Sequence, residues 1–143
     1  MGMKILVPVD GSEGANRAVD YVIGSVAWLK EPPQVFLLNV QWRLASANIK
    51  LFINPETIND YYREQGMQAL QSACQKLDAA GLSYSYHISV GTPAEGILQY
   101  ADEKQVGQIV MGVRGEESIS SMLLGSVADK VARMTAVPVV LVK

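Results

Sequence analysis

The sequence predicts an α/β fold, a single doubly wound domain over residues 1–143 with a five-stranded parallel sheet and helices on both faces. Short, dense apolar runs alternate along the chain with longer segments whose apolar residues recur at helical spacing. Such alternation is typical of a parallel sheet with crossover helices. The length of 143 residues suits one domain, and no linker, repeat or low-complexity segment interrupts it.

The first elements are a strand, a helix and a second strand. Residues 3–9 form an apolar run bounded by Asp10-Gly11-Ser12, which predicts a strand buried on both faces. Ser12 suits the N-cap of the helix that follows, and Pro32-Pro33 is expected to end that helix. Residues 35–40 then predict a second buried strand.

The middle of the chain begins with a long connection. Residues 41–59 are predicted to be largely irregular, and connections of this length are often functional loops. A helix is predicted over residues 55–80, with Gly81 as its C-terminal glycine. Residues 82–90 alternate apolar and polar side chains, so we expect a strand that has one less buried face and lies near a sheet edge.

The last third of the chain predicts two more helix–strand pairs. Thr92-Pro93-Ala94-Glu95 has the composition of a helix start, with an N-cap threonine and a glutamate three residues later. Residues 108–113 form the fourth predicted strand. Gly125-Ser126 precedes the last helix, and residues 138–142 form the fifth strand.

Charge and composition exclude several classes of function. The net charge is −2, so the chain lacks the basic excess expected for binding nucleic acid or an anionic membrane. Its apolar runs are much shorter than the about 20 residues of a membrane span. With one cysteine and one histidine, it can form neither an intrachain disulfide nor a Cys/His zinc site. We therefore expect a cytoplasmic protein.

Several chemically reactive or aromatic side chains are interpreted as structural. His87 lies within the alternating strand, so a partly exposed sheet histidine is expected rather than a catalytic one. Cys74 lies on the apolar stripe of its helix, which predicts burial. Trp42 could stack on a ligand, but packing is the favoured interpretation. Tyr61-Tyr62 is expected at the edge of the core.

The loop after the fourth strand has the strongest functional pattern. In open α/β sheets, ligands bind at the carboxyl ends of the strands. This loop contains Gly112 and Gly115, then nine residues, then Gly125-Ser126 at a helix start. Glycines and a helix N-terminus both favour phosphate, and Arg114 could pair with its charge. A tight turn followed by an ordinary helix cap is the other interpretation, and the spacing alone leaves both open.

The same spacing resembles the ATP-binding signature of the universal stress protein family. Residues 3–12 resemble the family's opening strand and turn, and residues 125–131 and 137–142 resemble its closing helix and strand. The resemblance implies the strand order 3-2-1-4-5 and binding of ATP with Mg²⁺ or Mn²⁺. It implies that Val9 and Asp10 lie beside adenine and ribose, and that the backbone of Val40 binds adenine. The complete set of implied nucleotide-binding residues is Pro8, Val9, Asp10, Val40, Met111, Gly112, Arg114, Gly115, Gly125, Ser126 and Val127.

The last strand also predicts a partner. Residues 137–142 are almost all apolar and, by the resemblance, form the edge of the sheet, where an unpaired strand is a template for pairing. The resemblance and this edge together predict a homodimer through the C-terminal strand.

Two features of the sequence bear on the alternatives. Glu116-Glu117 directly follows Gly115, where like charge would repel phosphates. This feature favours a nucleotide-free dimeric interaction module as an alternative, and a slow ATPase is a further one. A response-regulator receiver, which has the same number of β/α units, requires an aspartate after the third strand, where this chain has Gly91-Thr92.

Overall fold

The computed structural model describes residues 2–43, 54–114 and 124–143. Strands and helices alternate through these ranges as the hydrophobic periodicity predicts. Their bounds, in chain order, are β1 Lys4–Pro8, α1 Glu13–Ser25, a 3₁₀ turn Val26–Trp28, β2 Gln34–Gln41, α2 Pro55–Ala80, β3 Tyr84–Val90, α3 Pro93–Lys104, β4 Gln108–Gly112, α4 Ser126–Met134 and β5 Val139–Val142.

The five strands form one parallel sheet in the order β3-β2-β1-β4-β5. This confirms both the predicted fold class and the predicted strand order. The order reverses between β1 and β4, so the connections leave these neighbouring strands toward opposite faces of the sheet and a crevice opens at their carboxyl ends. β3 lies at one edge, as its alternating sequence predicts, and β5 lies at the other.

The sheet separates two hydrophobic cores. Val7 and Leu37 face α1 and α2, whereas their sequence neighbours Leu6 and Leu38 face α3 and α4. All four side chains are at most 1% exposed. Each buried aliphatic side chain of this size contributes about 1.5–3 kcal/mol to the stability of the fold relative to an exposed one. Burial on both faces therefore stabilises the central strands whose ends form the crevice.

The helix termini differ in detail from the sequence predictions. The Ser12 hydroxyl caps α1 by accepting from the Ala15 N–H at 3.2 Å, as predicted. α1 ends at Ser25 and a 3₁₀ turn follows, so the expectation that the helix continues to Pro32-Pro33 is wrong. Thr92 is the N-cap of α3, but its side chain makes no capping hydrogen bond. None of the helices in the described ranges is long and apolar enough to cross a bilayer.

Candidate functional site

A cavity of about 650 Å³ opens at the carboxyl ends of β1, β2 and β4, next to the N-terminus of α4. Its volume is within the range of small-molecule sites. Ten of the eleven residues singled out in the sequence line it: Pro8, Val9, Asp10, Val40, Met111, Gly112, Arg114, Gly125, Ser126 and Val127. The eleventh, Gly115, lies outside the described residues, as do Glu116 and Glu117.

The turn after β1 places a carboxylate at the cavity. Asp10 accepts a hydrogen bond from the Ser12 N–H at 3.0 Å, which fixes one carboxylate oxygen against the start of α1. Gly11 has φ +87°, in the left-handed region that glycine favours, and α2 packs close to it at Ala69. The Asp10 side chain is thus attached to a tight turn rather than to a long loop.

The backbone of Val40 presents a donor and an acceptor to the same space. Leu38 O accepts from the Val9 N–H, toward β1, and Gln41 O accepts from the Gly91 N–H, toward β3. Since successive residues of a strand direct their backbone groups to opposite sides, Val40 faces β1. The β1–β2 pairing ends at Pro8 and Leu38, so the Val40 N–H and C=O have no partner among the described residues.

The first turn of α4 presents further N–H groups. Asp129 N–H makes the first intrahelical bond, to Gly125 O, which leaves the N–H groups of Ser126, Val127 and Ala128 without an intrahelical acceptor. Among the described residues, no side-chain hydrogen bond caps this helix at Gly125. These donors and the positive end of the helix dipole adjoin the cavity, an arrangement that favours an anion.

Two of the predicted site glycines have structural roles besides leaving room for a ligand. Gly125 is the N-cap of α4, with Ser126 as the first helical residue, and its N–H donates to Val113 O at 2.7 Å. A Cβ at Gly112 would lie 2.7 Å from the backbone carbonyl of Gly14, so Gly112 permits close packing of β4 against α1. The sequence-based reason for these glycines, room for amides to approach a phosphate, is therefore incomplete.

Charge in the described lining is confined to Asp10 and Arg114. Arg114 is half-buried, and its Nε is buried without a hydrogen-bond partner in the described part of the chain. A guanidinium in this condition gains most from an anionic partner. The lining therefore provides positive potential from Arg114 and the N-terminus of α4, and a carboxylate acceptor at Asp10.

Comparison with known proteins shows to which family this chain belongs. The model of the Universal stress protein family matches residues 1–143. The chain belongs to this family. It is 30% identical to the universal stress protein YxiE of Bacillus subtilis over 147 aligned positions, covering 98% of each chain.

Solved structures of similar proteins agree with the fold. The structure of MJ0577, from Methanocaldococcus jannaschii, has a TM-score of 0.85 at 29% identity, covering 100% of this chain and 96% of that one. The universal stress protein from Archaeoglobus fulgidus in complex with dAMP has a TM-score of 0.68 at 24% identity, covering 99% of this chain and 98% of that one. This second likeness shows the fold alone.

In this universal stress protein, two side chains in or just after β2 differ from what the sequence predicts. Trp42 is 60% exposed and lines the cavity, so the prediction that it packs into the protein is wrong. β2 ends at Gln41, and the tryptophan extends beyond the edge of the core. Asn39 was not predicted as a site residue, yet it is only 4% exposed and also lines the cavity. The sequence feature that could have indicated it is a single amide side chain between apolar residues of the predicted strand.

The remaining reactive side chains of the universal stress protein lie away from this cavity. His87 is exposed on β3, as predicted, and stacks on Tyr100 with ring centroids 5.2 Å apart. Cys74 is half-buried in the α2 core, where desolvation raises the pKa of its thiol. Tyr62 is buried while its neighbour Tyr61 is 45% exposed, which confirms their predicted place at the edge of the core.

Proposed function

We propose that this universal stress protein binds an adenine nucleotide in the cavity, specifically ATP with Mg²⁺ or Mn²⁺, and acts as a cytoplasmic regulatory binding protein of the stress response. The observation that carries the proposal is the convergence of three features on one cavity. These are the unpartnered Val40 backbone edge, the Asp10 carboxylate, and the α4 N-terminus with Arg114. The three suit a base, a ribose and phosphates respectively.

The donor and acceptor of Val40 match the Watson–Crick edge of adenine. Adenine N1 would accept from the Val40 N–H, and the 6-amino group would donate to the Val40 C=O. Guanine offers an oxygen at position 6, which would oppose the Val40 carbonyl. We therefore expect this edge to select adenine over guanine.

The other two features suit the sugar and the phosphates. A carboxylate accepts hydrogen bonds from ribose hydroxyls, and Asp10 is fixed by its bond to the Ser12 N–H. The N–H groups of the first turn of α4 would receive the phosphates, and Arg114 would neutralise part of their charge.

The proposed metal ion would depend mainly on the nucleotide. Within the described ranges, no three His, Cys, Asp or Glu side chains are grouped so as to hold a metal. Mg²⁺ commonly keeps several waters and binds through one or two carboxylates together with substrate phosphates. Asp10 is the carboxylate in the described lining that could take part.

Calorimetric titration with ATP and Mg²⁺, with GTP as the matched control, tests this proposal. We expect ATP to bind and GTP to bind at least about tenfold more weakly. Guanine would oppose the Val40 C=O with its oxygen and the Val40 N–H with its own N1–H, and each opposed pair costs about as much as an unmet hydrogen bond. The absence of heat at millimolar ATP contradicts the proposal and favours the nucleotide-free interaction module. Steady release of phosphate from bound ATP would instead favour the slow ATPase.

We further propose a homodimer through β5. β5 pairs with β4 on one side and has no partner strand on the other among the described residues. Its four side chains are all half-buried, which is less burial than the central strands have. Antiparallel pairing with the β5 of a second copy around a twofold axis would satisfy both open edges.

Leu141→Pro is expected to convert the dimer into a monomer while the fold is retained. Pro138 O and Val142 O accept from β4 or the residue after it, so by alternation Val140 also faces β4, and Val139 and Leu141 face outward. Proline at an outward position removes a donor of the proposed interface only. Light scattering at tens of micromolar would measure the change, with Leu141→Ala as the control for the lost side chain. A monomeric wild type contradicts the dimer.

A further inference from the structure

Asn39 is one of two buried polar side chains in the described part of the protein, the other being Ser25. Its Nδ2 donates to Val9 O at 2.8 Å, and its Oδ1 accepts from Gln41 Nε2. Burying an amide is unfavourable unless its hydrogen bonds are satisfied, so a leucine would be the simpler residue in this apolar strand.

The bond to Val9 O takes the place of a rung of the sheet. The Val9 N–H still donates to Leu38 O at 2.8 Å, as parallel pairing requires. The next bond in a regular parallel ladder would run from the Val40 N–H to Val9 O. That bond is not formed, and Val9 O instead accepts from the Asn39 side chain.

The bonds to Val9 and Gln41 together fix which way the Asn39 amide faces. Val9 O can only accept, so the Asn39 nitrogen must face it, and the Asn39 oxygen then accepts from Gln41 Nε2. Both partners lie on β2 or at the end of β1, so the arrangement is complete without a ligand.

We propose that Asn39 is a positioning residue: it occupies the Val9 carbonyl, stops the β1–β2 ladder one rung early, and so keeps the Val40 N–H available for the nucleotide base. The inference rests on the proposed function for its ligand, but the ladder itself can be examined without one. A merely structural Asn39 would stabilise this region, whereas the proposed Asn39 also prevents Val40 from pairing.

Amide hydrogen exchange of the ligand-free protein tests the ladder. In Asn39→Leu, Val9 O loses its partner and the Val40 N–H is expected to take its place. Exchange at the Val40 amide should then slow by at least about tenfold, the protection given by one formed hydrogen bond. Ser25→Ala, which removes the other buried polar side chain, should leave the Val40 amide unchanged. Faster or unchanged exchange at Val40 in Asn39→Leu overturns the proposal, and Asn39→Ala repeats the test if the leucine variant does not fold.

Nucleotide binding by the same variants tests the consequence for the ligand. Asn39→Leu should weaken ATP binding by about tenfold but should weaken 1-deaza-ATP, which has C–H in place of N1, by less than about twofold. Equal losses for both nucleotides overturn the link to Val40. If the wild type binds neither nucleotide, the proposed function fails, and slower Val40 exchange in Asn39→Leu still supports the role of Asn39 in ending the ladder.

Discussion

Ser126→Pro is expected to weaken ATP binding by roughly ten- to a hundredfold, because it removes one N–H that would donate to a charged phosphate. The substitution suits the helix. Ser126 is the first residue of α4, where proline is tolerated, and Gly125 before it has the extended conformation that proline requires. The fold should therefore be retained, so the loss can be assigned to the missing donor. Calorimetric titration with ATP and Mg²⁺ measures the effect.

Ser126→Ala is the matched control, since it removes the hydroxyl and keeps the backbone N–H. We expect it to weaken ATP binding by less than about tenfold, because the proposed donors to the phosphates are backbone N–H groups and the hydroxyl is not one of them. If proline and alanine have equal effects, the hydroxyl is the group that matters. If neither changes the affinity, the phosphates do not bind at the N-terminus of α4.

Gly112→Ala is expected to lower the free energy of unfolding by about 1–3 kcal/mol, the usual cost of overpacking. The added Cβ would lie 2.7 Å from the carbonyl carbon and oxygen of Gly14 and 2.9 Å from its Cα. These are backbone atoms of α1, so relief requires a shift of the whole helix against β4. Urea unfolding at equilibrium measures the change.

Gly24→Ala provides the control, because Gly24 also lies in α1 but an added Cβ there meets nothing within 4 Å. Alanine is favoured over glycine within a helix, so this variant is expected to gain about 0.5–1 kcal/mol. A Gly112→Ala protein as stable as the wild type would show that α1 and β4 do not pack through this pair of glycines.

The order of strands and helices could be predicted from the sequence because it depends on local patterns. Dense apolar runs mark strands buried on both faces, and the alternation before Val90 marks the edge strand β3. Ser12 marks the start of α1 and Gly81 the end of α2, each through chemistry within a few residues. The end of α1 was less predictable, since the chain leaves the helix at Ser25, seven residues before the first proline of Pro32-Pro33.

The residues that line the candidate site could also be predicted from the sequence, but their individual roles could not. Asp10, Val40 and Gly112 lie at or next to the carboxyl ends of their strands, and strand ends of a parallel sheet meet at one edge whatever the intervening sequence. Position along the chain did not reveal what each residue does. The N–H of Gly125 is already bonded to Val113 O, and Trp42 is exposed at the cavity rather than packed.

The element types, the strand ends that line the cavity and the family of the chain could all be predicted from the sequence, because each follows from patterns within short segments. Contacts between segments far apart in the chain become visible only in the folded protein. Asn39 meets Val9 across 30 residues, and Gly112 meets Gly14 across the interface of β4 and α1. Such contacts depend on the register of neighbouring strands and on how closely a helix packs against the sheet. The periodicity of one segment indicates neither of these.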